Sequence, residues 1–356
     1  MKVLDKNYRT IWYDGECEEV KIIDQRTIPF QFEIETIRTH KQMATAIKDM
    51  HLRGAGLIGA AAAWGIYLAV KENPQWTSIV LASELLISTR PTAVNLQYAV
   101  TRMMYVIMPL SEGERLIHAL KEAQSIADED ANACRDIGFN GFELIKKIPK
   151  KSKRKQFNIL THCNAGWLAF VDYGSALSPV YEAFNQGFDI HVYVDETRPR
   201  NQGARLTAWE LGMQGVPHTL IADNVGGYLM QQGLIDMVIV GADRVSKNGD
   251  VANKIGTYLK ALAAKDNNVP FFVGFPSSTY DNNIIHGEDI PIEERGMDEV
   301  LFMTGWNGIS EIEIRIAPEF TKAVNFGFDI TPARLVSAYI TEKGVFKSDE
   351  LFQNLT

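Results

Sequence analysis

The stretch Ile235–Tyr258 reads IDMVIVGADRVSKNGDVANKIGTY and decides the fold. Its first part, Ile235–Val240, is largely apolar and rich in β-branched side chains, which is typical of a strand buried on both faces of a parallel sheet. Asp243 follows that strand, and Asn253 and Lys254 are predicted to open a helix. Ligands of open parallel sheets bind where strands end and helices begin. The pattern predicts a small site here, although a loop-capping Asp243 and a solvated Lys254 fit it equally well.

Similar apolar runs recur along the second half of the chain. They are Phe157–Leu160, Ile190–Val194, His218–Ala222, Met237–Val240 and Phe271–Val273. Their alternation with helical or glycine-bounded segments predicts βαβ units and a Rossmann-like parallel sheet. A polar or glycine-rich turn follows each run, which favours one composite site over ordinary loops. Neither a GxGxxG nor a GxxxxGK[ST] motif occurs, so neither a dinucleotide nor a P-loop nucleotide is indicated.

Cys163 follows the first of these runs. A lone cysteine after a strand is usually a small buried hydrophobic residue. Here it precedes Asn164-Ala165-Gly166, a predicted helix start whose N–H groups would lower the thiol pKa. Cys163 and Asp243 project from the same edge of the predicted sheet, although they are far apart in sequence. A cysteine and a carboxylate in that arrangement are suited to moving protons on a sugar.

Two arginines in the first half of the chain stand beside glycine or proline turns. Arg53-Gly54-Ala55 opens a glycine-rich turn that leads into an apolar helix, where backbone N–H groups can approach an anion. Arg90 precedes Pro91, which is predicted to begin another helix. Both features suit a phosphate group. Close packing of helices through small residues is the alternative explanation for the glycine-rich turn.

The first half of the chain is predicted to be mainly helical. Ile11–Asp24 alternates around Asp14-Gly15, which predicts a β-hairpin with a two-residue turn. Glu35–Leu52 has helical periodicity, and helical segments continue to about Ile148. The basic segment Lys146–Lys155 lacks interleaved aromatic residues and is interpreted as a linker. The fold class is therefore α/β: a smaller, mainly helical domain that starts with a hairpin (1–150) and a Rossmann-like catalytic domain (151–356).

Composition narrows the class of protein. With 356 residues, 46% hydrophobic and 22% charged, the sequence is that of a soluble globular protein with ample core. A net charge of −8 argues against a general nucleic-acid binder. The three cysteines form no CxxC pair, and no histidine pair has metal-ligand spacing, so neither a disulfide framework nor a zinc site is indicated. No signal peptide or membrane span is predicted, and we expect a cytoplasmic protein.

Seven stretches together resemble one known family. They are RGAGLIGAAAAWGIYLA (Arg53–Ala69), TRPTAVNL (Thr89–Leu96), THCNAG (Thr161–Gly166), DETRPRNQGARLTAWEL (Asp195–Leu211), GADRVSKNGDVANKIGTY (Gly241–Tyr258), PIEERGMDEV (Pro291–Val300) and FDITPARLV (Phe328–Val336). The combination resembles the methylthioribose-1-phosphate isomerases, which belong to the wider superfamily of initiation factor 2B α, β and δ subunits. The IWYDG hairpin (Ile11–Gly15) is also typical, so the resemblance covers essentially the whole chain.

The resemblance implies an aldose-to-ketose isomerisation of 5-methylthioribose 1-phosphate to 5-methylthioribulose 1-phosphate in methionine salvage. It implies that Asp243 is the proton donor and Cys163 the catalytic cysteine. The implied phosphate and sugar contacts are Arg53, Gly54, Ala55, Arg90, Gln202, Asn253 and Lys254. No metal or organic cofactor, nucleic acid or membrane is implied. The expected partners are a pentose 1-phosphate and a second copy of the chain in a homodimer.

The sequence departs from the family pattern at a few positions. Gly56-Leu57 stands where Pro-Ala is usual, Phe275–Asp281 reads FPSSTYD, and Gly226 stands where alanine is common. We expect these changes at the rim of the pocket, with apolar Leu57 and Phe275 near the substituent on C5. A 5-deoxyribose-1-phosphate isomerase is therefore one alternative. A non-catalytic regulatory or binding protein of the initiation factor 2B type is the other, and such a protein would not need the cysteine–aspartate pair.

Overall fold

A computed structural model describes residues 1–91, 93–150 and 155–355. The chain begins with a short pair, β1 (Lys2–Val3) and β2 (Lys6–Asn7), followed by an antiparallel sheet of β3 (Ile11–Asp14), β4 (Glu19–Ile23) and β5 (Ile34–Ile37). The predicted hairpin is confirmed, but its connection is Gly15–Glu18 and is longer than two residues. The Asp14 carboxylate accepts the N–H groups of Glu16 and Cys17 at 3.1 and 3.4 Å, which stabilises this longer turn.

Five helices follow: α1 (His40–Lys48), α2 (Ala55–Glu72), α3 (Trp76–Thr89), α4 (Val94–Ile107) and α5 (Glu112–Ile145). The prediction of one helix over Glu35–Leu52 is wrong at its start, because residues up to Ile37 pair with β4. The helix begins after Thr39, whose hydroxyl and N–H form a reciprocal capping box with Gln42. Helix α2 is buried along almost its whole length and packs against α4 and α5, so it forms the core of this half.

The boundary between the two predicted domains cannot be assigned from the structure. The basic segment Lys146–Lys155 contains residues 151–154, which lie outside the described residues. The division into 1–150 and 151–356 therefore stays a prediction. In the described part, α5 packs against the first helix of the second half, so the two halves share an apolar contact.

The second half alternates strands and helices. Its strands are β6 (Phe157–Thr161), β7 (Ile190–Asp195), β8 (His218–Ile221), β9 (Met237–Val240), β10 (Arg244–Ser246), β11 (Val251–Lys254), β12 (Phe271–Gly274), β13 (Tyr280–Asp281), β14 (Phe302–Trp306), β15 (Glu311–Arg315), β16 (Phe328–Thr331), β17 (Ala338–Thr341) and β18 (Gly344–Phe346). Its helices are α6 (Ser178–Asn185), α7 (Ala208–Met213), α8 (Val225–Gln231), α9 (Thr257–Asp266), α10 (Asp298–Leu301) and α11 (Leu351–Leu355).

One seven-stranded sheet organises this half, in the order β18-β17-β12-β9-β6-β7-β8. All neighbours are parallel except β17 and β18. The six parallel strands have the doubly wound order 3-2-1-4-5-6 in the direction of the chain, which confirms the Rossmann-like α/β prediction. Strand order reverses between β6 and β9, and ligands of such sheets bind at the carboxyl ends of the strands at that point. Cys163 follows β6 and Asp243 follows β9.

The two faces of the sheet carry separate apolar clusters, as strand alternation requires. Along β6, for example, Ile159 belongs to one cluster and Leu160 to the other, and both are fully buried. A third cluster surrounds α2. None of the described helices combines the length and the hydropathy that a bilayer crossing requires.

A smaller sheet, in the order β13-β10-β11-β16, lies beside the end of β9. The prediction that Asn253 and Lys254 open a helix is wrong, because both residues lie at the end of β11 and pair with β16. Helix α9 begins only at Thr257, after Gly256, which has a φ of 101°. Residues with side chains rarely adopt that conformation, so the glycine separates the strand from the helix.

Candidate active site

One cavity that opens to solvent lies at the reversal point of the sheet. It is lined by all nine residues that the sequence singled out: Arg53, Gly54, Ala55, Arg90, Cys163, Gln202, Asp243, Asn253 and Lys254. These residues come from the turn before α2, the segment before α4, and the ends of β6, β7, β9 and β11. The structure therefore brings the candidate residues together, while their chemical roles stay predictions.

The side of the cavity formed by the first half of the chain is suited to an anion. Gly54 precedes the 18-residue helix α2, whose first N–H groups have no partner within the helix. These groups and the helix dipole attract negative charge. A Cβ atom on Gly54 would lie 2.4 Å from the carbonyl oxygen of Ala169, and φ at this position is 107°. Only glycine fits here, so the turn can lie directly against the segment that follows Cys163.

Arg53 lies beside this turn and is fixed by Asn164. Its guanidinium donates to the backbone oxygen of Asn164 at 3.2 and 3.1 Å and also to the side-chain oxygen of that residue. The Asn164 amide in turn donates to Thr207 at 3.1 Å and to Glu210 at 3.0 Å. Burial raises the pKa of Glu210 to about 8. A chain of buried polar side chains therefore holds the Arg53 guanidinium at the cavity. The sequence motifs alone did not indicate that Asn164, Thr207 and Glu210 have this role.

The backbone at Cys163 is held in an uncommon conformation. Its φ is 66°, in the left-handed region that favours glycine. Its N–H donates to the Thr197 hydroxyl at 2.8 Å, and its carbonyl oxygen accepts from the Thr207 hydroxyl at 2.7 Å. These bonds stabilise the conformation that directs the thiol into the cavity.

The N–H of Asn164 lowers the thiol pKa of Cys163 as expected, but no helix starts there and the overall shift is upward. The turn that follows is a short 3-10 helix, Trp167–Ala169, which begins beyond the cysteine. Burial raises the pKa of the Cys163 thiol, and the positive charges of Lys254 and Arg53 offset this only in part. Burial therefore makes the thiol of Cys163 harder to ionise, and the nearby cations favour the thiolate.

Asp243 and Lys254 complete the reactive group of side chains. Burial raises the pKa of the Asp243 carboxyl, against the nearby charges of Lys254 and Arg90. Burial lowers the pKa of Lys254, whose ammonium nitrogen lies 4.5 Å from the centre of the Phe328 ring. Each group is thus biased towards its neutral form in a cavity that contains opposite charges. Such perturbed groups in a cleft are typical of functional sites.

Gln202 enters the cavity at the start of a π-helical turn, Gly203–Thr207. Such turns are rare and occur frequently at functional sites. Within the described residues, the buried Oε1 of Gln202 and Nε of Arg53 have no hydrogen-bond partner. Buried polar atoms are normally paired, so these two are suited to contact a polar ligand.

The chain is similar over most of its length to proteins of one family. The model of the initiation factor 2 subunit family matches residues 36–348. A methylthioribose-1-phosphate isomerase from Brucella anthropi is 53% identical over 97% of this chain and 96% of the relative. One from Escherichia coli is 51% identical over 97% of this chain and 93% of the relative. The chain belongs to the initiation factor 2 subunit family, among the methylthioribose-1-phosphate isomerases.

Solved structures of this family have the same fold. The 5-methylthioribose 1-phosphate isomerase from Pyrococcus horikoshii OT3 superposes with a TM-score of 0.84 and is 39% identical, covering 98% of this chain and 96% of that one. A protein described as the translation initiation factor eIF-2B, subunit delta, from A. fulgidus superposes with a TM-score of 0.82 and is also 39% identical, covering 98% and 99%.

Further charged residues of the isomerase-family cavity were not among the sequence candidates. Arg295 and Arg200 both contact Glu299, at 2.7 and 2.8 Å. Although burial opposes it, hydrogen bonds from these two arginines lower the pKa of Glu299 to about 2. The positive charge of the two is thus partly neutralised by a carboxylate. Arg295 and Glu299 lie in the PIEERGMDEV stretch, where four acidic residues and one arginine gave no indication of which would face the site.

Where this chain departs from the isomerase pattern, the predicted rim residues do not reach the cavity. Leu57 and Phe275 are fully buried in two different apolar clusters. Phe275 packs edge-on against Tyr339, with ring centroids 6.1 Å apart. The prediction that these two side chains contact the C5 substituent is therefore wrong. The apolar side chains that do line the cavity include Met50, Phe170 and Phe328.

Two groups of side chains in the described residues have ligand atoms close enough to bind a metal ion. They are Asp24, Glu35 and His51, and His162, Asp195 and Asp223. Arg26 already pairs with Asp24 at 2.6 Å, and Lys260 with Asp195 at 3.1 Å. A metal ion at either place would have to compete with an ammonium or guanidinium group, so neither group is a prepared metal site for the isomerase family.

Proposed function

We propose that the protein is an aldose–ketose isomerase that converts 5-methylthioribose 1-phosphate to 5-methylthioribulose 1-phosphate in methionine salvage. One observation carries the proposal. The thiol of Cys163 and the carboxyl of Asp243 lie at the ends of the two strands between which the order of the sheet reverses, and both line one cavity with Arg53 and Lys254. The relatives that are about half identical to the chain are isomerases of this name.

The phosphate group binds at the start of α2. The free N–H groups of that helix, the Arg53 guanidinium and the Lys254 ammonium supply donors and positive charge, and Arg90 lines the same cavity. Arg90 lies 3.4 Å from Glu293, a long ion pair that leaves it able to contact an anion as well. Charge-assisted hydrogen bonds of this kind are shorter and stronger than neutral ones, so a phosphate dianion is the best ligand for this side.

Asp243 opens the sugar ring. The substrate carries its phosphate on the anomeric carbon, so the ring cannot open by simple reversal of a hemiacetal. A proton must reach the ring oxygen as the bond between that oxygen and C1 breaks. Because burial raises the pKa of Asp243, its carboxyl keeps a proton to higher pH than an exposed aspartate and is suited to this transfer.

Cys163 acts on the hydrogen that moves from C2 to C1. In an enediol route the thiolate takes the C2 proton and returns it to C1, while the Asp243 carboxylate recovers a proton from the C2 hydroxyl. Both groups then end in their starting forms. In a hydride route the hydrogen moves directly between the carbons beside the thiol. Both routes begin with the proton that Asp243 supplies. Gln202 and Asn253 line the same cavity, which supports contacts from these amides to the sugar hydroxyls.

A purified-protein assay tests the function. The protein is incubated, without added metal or nucleotide, with methylthioribose 1-phosphate, 5-deoxyribose 1-phosphate and ribose 1,5-bisphosphate, and ketose formation is followed by NMR. We expect turnover of the first two and rejection of the bisphosphate, whose second phosphate would be costly to bury without paired cations. Cys163→Ala is the matched inactive control.

Two results of that assay would contradict the proposal. A preference for the bisphosphate would contradict the assigned substrate. An absence of turnover with every sugar, together with retained phosphate binding, would favour a regulatory protein. The likeness to the A. fulgidus protein described as an initiation factor is the observation behind that second candidate.

We also propose a cytoplasmic homodimer. Large apolar side chains are exposed in and after the β14–β15 hairpin, with Ile309 86% and Phe320 88% exposed. Contiguous exposed apolar surface often marks a protein interface. Sedimentation of the protein and of an Ile309→Ser, Phe320→Ser double variant tests this, with a dimer and a weaker dimer expected. A wild-type monomer at micromolar concentration would contradict it.

A further inference from the structure

His162 connects the segments that carry the thiol and the ammonium group of the cavity. It directly precedes Cys163, and its side chain is buried. Its Nε2 atom lies 2.8 Å from the backbone oxygen of Ile255, the residue after Lys254. A carbonyl oxygen only accepts hydrogen bonds, so Nε2 donates. This bond therefore joins the turn after β6 to the end of β11.

The other ring nitrogen is fixed by a buried ion network. Nδ1 lies 2.9 Å from Oδ2 of Asp195, and the ammonium of Lys260 lies 3.1 Å from the same oxygen. Lys260 also donates to the backbone oxygen of Asp223. Asp195 is fully buried, so the loss of one of its partners would leave a buried carboxylate poorly compensated. His162 cannot rotate away from this network, which fixes the direction of its Nε2–H bond.

We infer that His162 is a positioning residue of the isomerase: its bond to Ile255 holds Lys254 close enough to Cys163 for the ammonium to stabilise the thiolate. Burial raises the pKa of the Cys163 thiol, and Lys254 is the charged group that offsets burial most, ahead of Arg53. A small shift of the end of β11 would move Lys254 away from Cys163 and would therefore destabilise the thiolate form of the thiol. The kinetic consequence rests on the proposed function, whereas thiol reactivity can be measured without a substrate.

Two substitutions separate the two contacts of the His162 ring, one with Ile255 and one with Asp195. His162→Gln keeps an N–H donor near the position of Nε2 and so retains the bond to Ile255. His162→Asn places its donor near the position of Nδ1 and so retains only the contact with Asp195. Since misplacement of about 1 Å at a reacting group costs up to about 100-fold in rate, we expect kcat of His162→Asn to fall roughly 10- to 100-fold and that of His162→Gln to stay within about threefold.

The rate of alkylation of the Cys163 thiol measures directly how well Lys254 is positioned to stabilise the thiolate. The background is Cys17→Ser, because Cys17 is exposed; Cys134 is 0% exposed, whereas Cys163 is 7% exposed and lines the open cavity. The rate of Cys163 reaction with iodoacetamide is measured against pH, and we expect the apparent thiol pKa to rise in His162→Asn and not in His162→Gln. Asp195, Asp223, Lys260 and Asp329 also face His162. Both variants remove the imidazole, and each retains one of its two contacts, so a lower thiol pKa in His162→Gln than in His162→Asn shows that the bond to Ile255 supports the thiolate more than the contact with Asp195 does.

Equal losses of kcat in the two variants, or equal thiol profiles, would overturn the inference. So would loss of cooperative thermal unfolding in both variants, because the role would then be structural only. If the wild-type protein fails to turn over methylthioribose 1-phosphate, the proposed function fails, and the alkylation profiles still decide the role of His162.

Discussion

Cys163 and Thr197 hold each other in left-handed backbone conformations. Their φ angles are 66° and 64°, and the N–H of Cys163 donates to the Thr197 hydroxyl at 2.8 Å. The same hydroxyl donates to the backbone oxygen of Asp195 at 3.0 Å. A left-handed residue with a side chain costs about 1–3 kcal/mol, which the surrounding structure must supply. The direction of the thiol therefore depends on a threonine in the neighbouring turn.

Replacement of that hydroxyl should reduce activity. Thr197→Val leaves the buried N–H of Cys163 without its acceptor, at a cost of about 1–3 kcal/mol. We expect kcat to fall roughly tenfold or more, measured by ketose formation, with Thr197→Ser as the control that keeps the hydroxyl. Equal activity of the valine and serine variants would show that the bond is dispensable.

Removal of either reacting group should nearly abolish turnover without unfolding the protein. General acid–base groups contribute roughly 10²–10⁴-fold, so Cys163→Ala and Asp243→Asn should each lose at least 100-fold in kcat. Thermal unfolding and phosphate binding serve as controls for folding and for the anion site. A variant with close to full activity would exclude that residue from the chemistry.

Loss of the arginine beside α4 should weaken substrate binding. Arg90→Gln removes a charged donor from the anion side of the cavity, and hydrogen bonds to charged groups contribute about 1.5–3 kcal/mol. KM should rise roughly 10- to 100-fold, and inhibition by inorganic phosphate should weaken in parallel. Arg135→Gln, a change at an exposed arginine on α5, is the matched control. An unchanged KM in Arg90→Gln would place Arg90 outside the site.

Asp130 should make stability depend on pH. Burial raises the pKa of this carboxyl to about 7, against the N–H of Val171, which lowers it. Between about pH 4 and pH 7 the folded state holds a proton that the unfolded state has lost. The free energy of unfolding should therefore fall as pH rises through this window, with a slope of at most about 1.4 kcal/mol per pH unit.

Asp130→Asn should flatten this profile, as measured by urea unfolding at several pH values. The asparagine keeps an oxygen that can accept the Val171 N–H, so a loss of packing does not obscure the result. Asp136→Asn, on the exposed surface of the same helix, should leave the profile unchanged. A parallel profile in Asp130→Asn would contradict the raised pKa.

The parallel sheet was predictable because its inner strands, such as β6, β9 and β12, are buried on both faces and therefore form largely apolar runs in the sequence. Because the apolar runs could be recognised, the polar turns that follow them could be located too, and two of these turns contain Cys163 and Asp243. The sheet order itself depends on long-range pairing, which no local pattern contains. Gln202 and Arg90 were assigned to the same site because of the resemblance to the isomerases, since their spacing in the sequence does not indicate that they are close together.

The errors have physical causes that lie outside local sequence. A helix start was predicted at Asn253 and Lys254 from local sequence, whereas pairing with β16 makes this segment a strand. Leu57 was assigned to the rim of the pocket because it departs from the family pattern and is apolar, yet the helical rotation after Gly54 directs it into the core. The thiol pKa depends on burial, and burial at Cys163 is a property of the folded cavity.

The location of Gly54 against Ala169 has an evolutionary consequence. In the proposed function, most donors for the anion come from the segment around Gly54 and Arg90 and one comes from Lys254, whereas the thiol and the carboxyl lie at strand ends more than sixty residues after Arg90. Exchange of the earlier segment between related genes would alter which anion is held and leave the chemistry untouched. The exchanged segment must still supply a glycine at the contact with Ala169, because any Cβ there would collide with the carbonyl oxygen. Members of this family could therefore evolve to use other substrates by exchange of one segment, provided that the glycine at position 54 is retained.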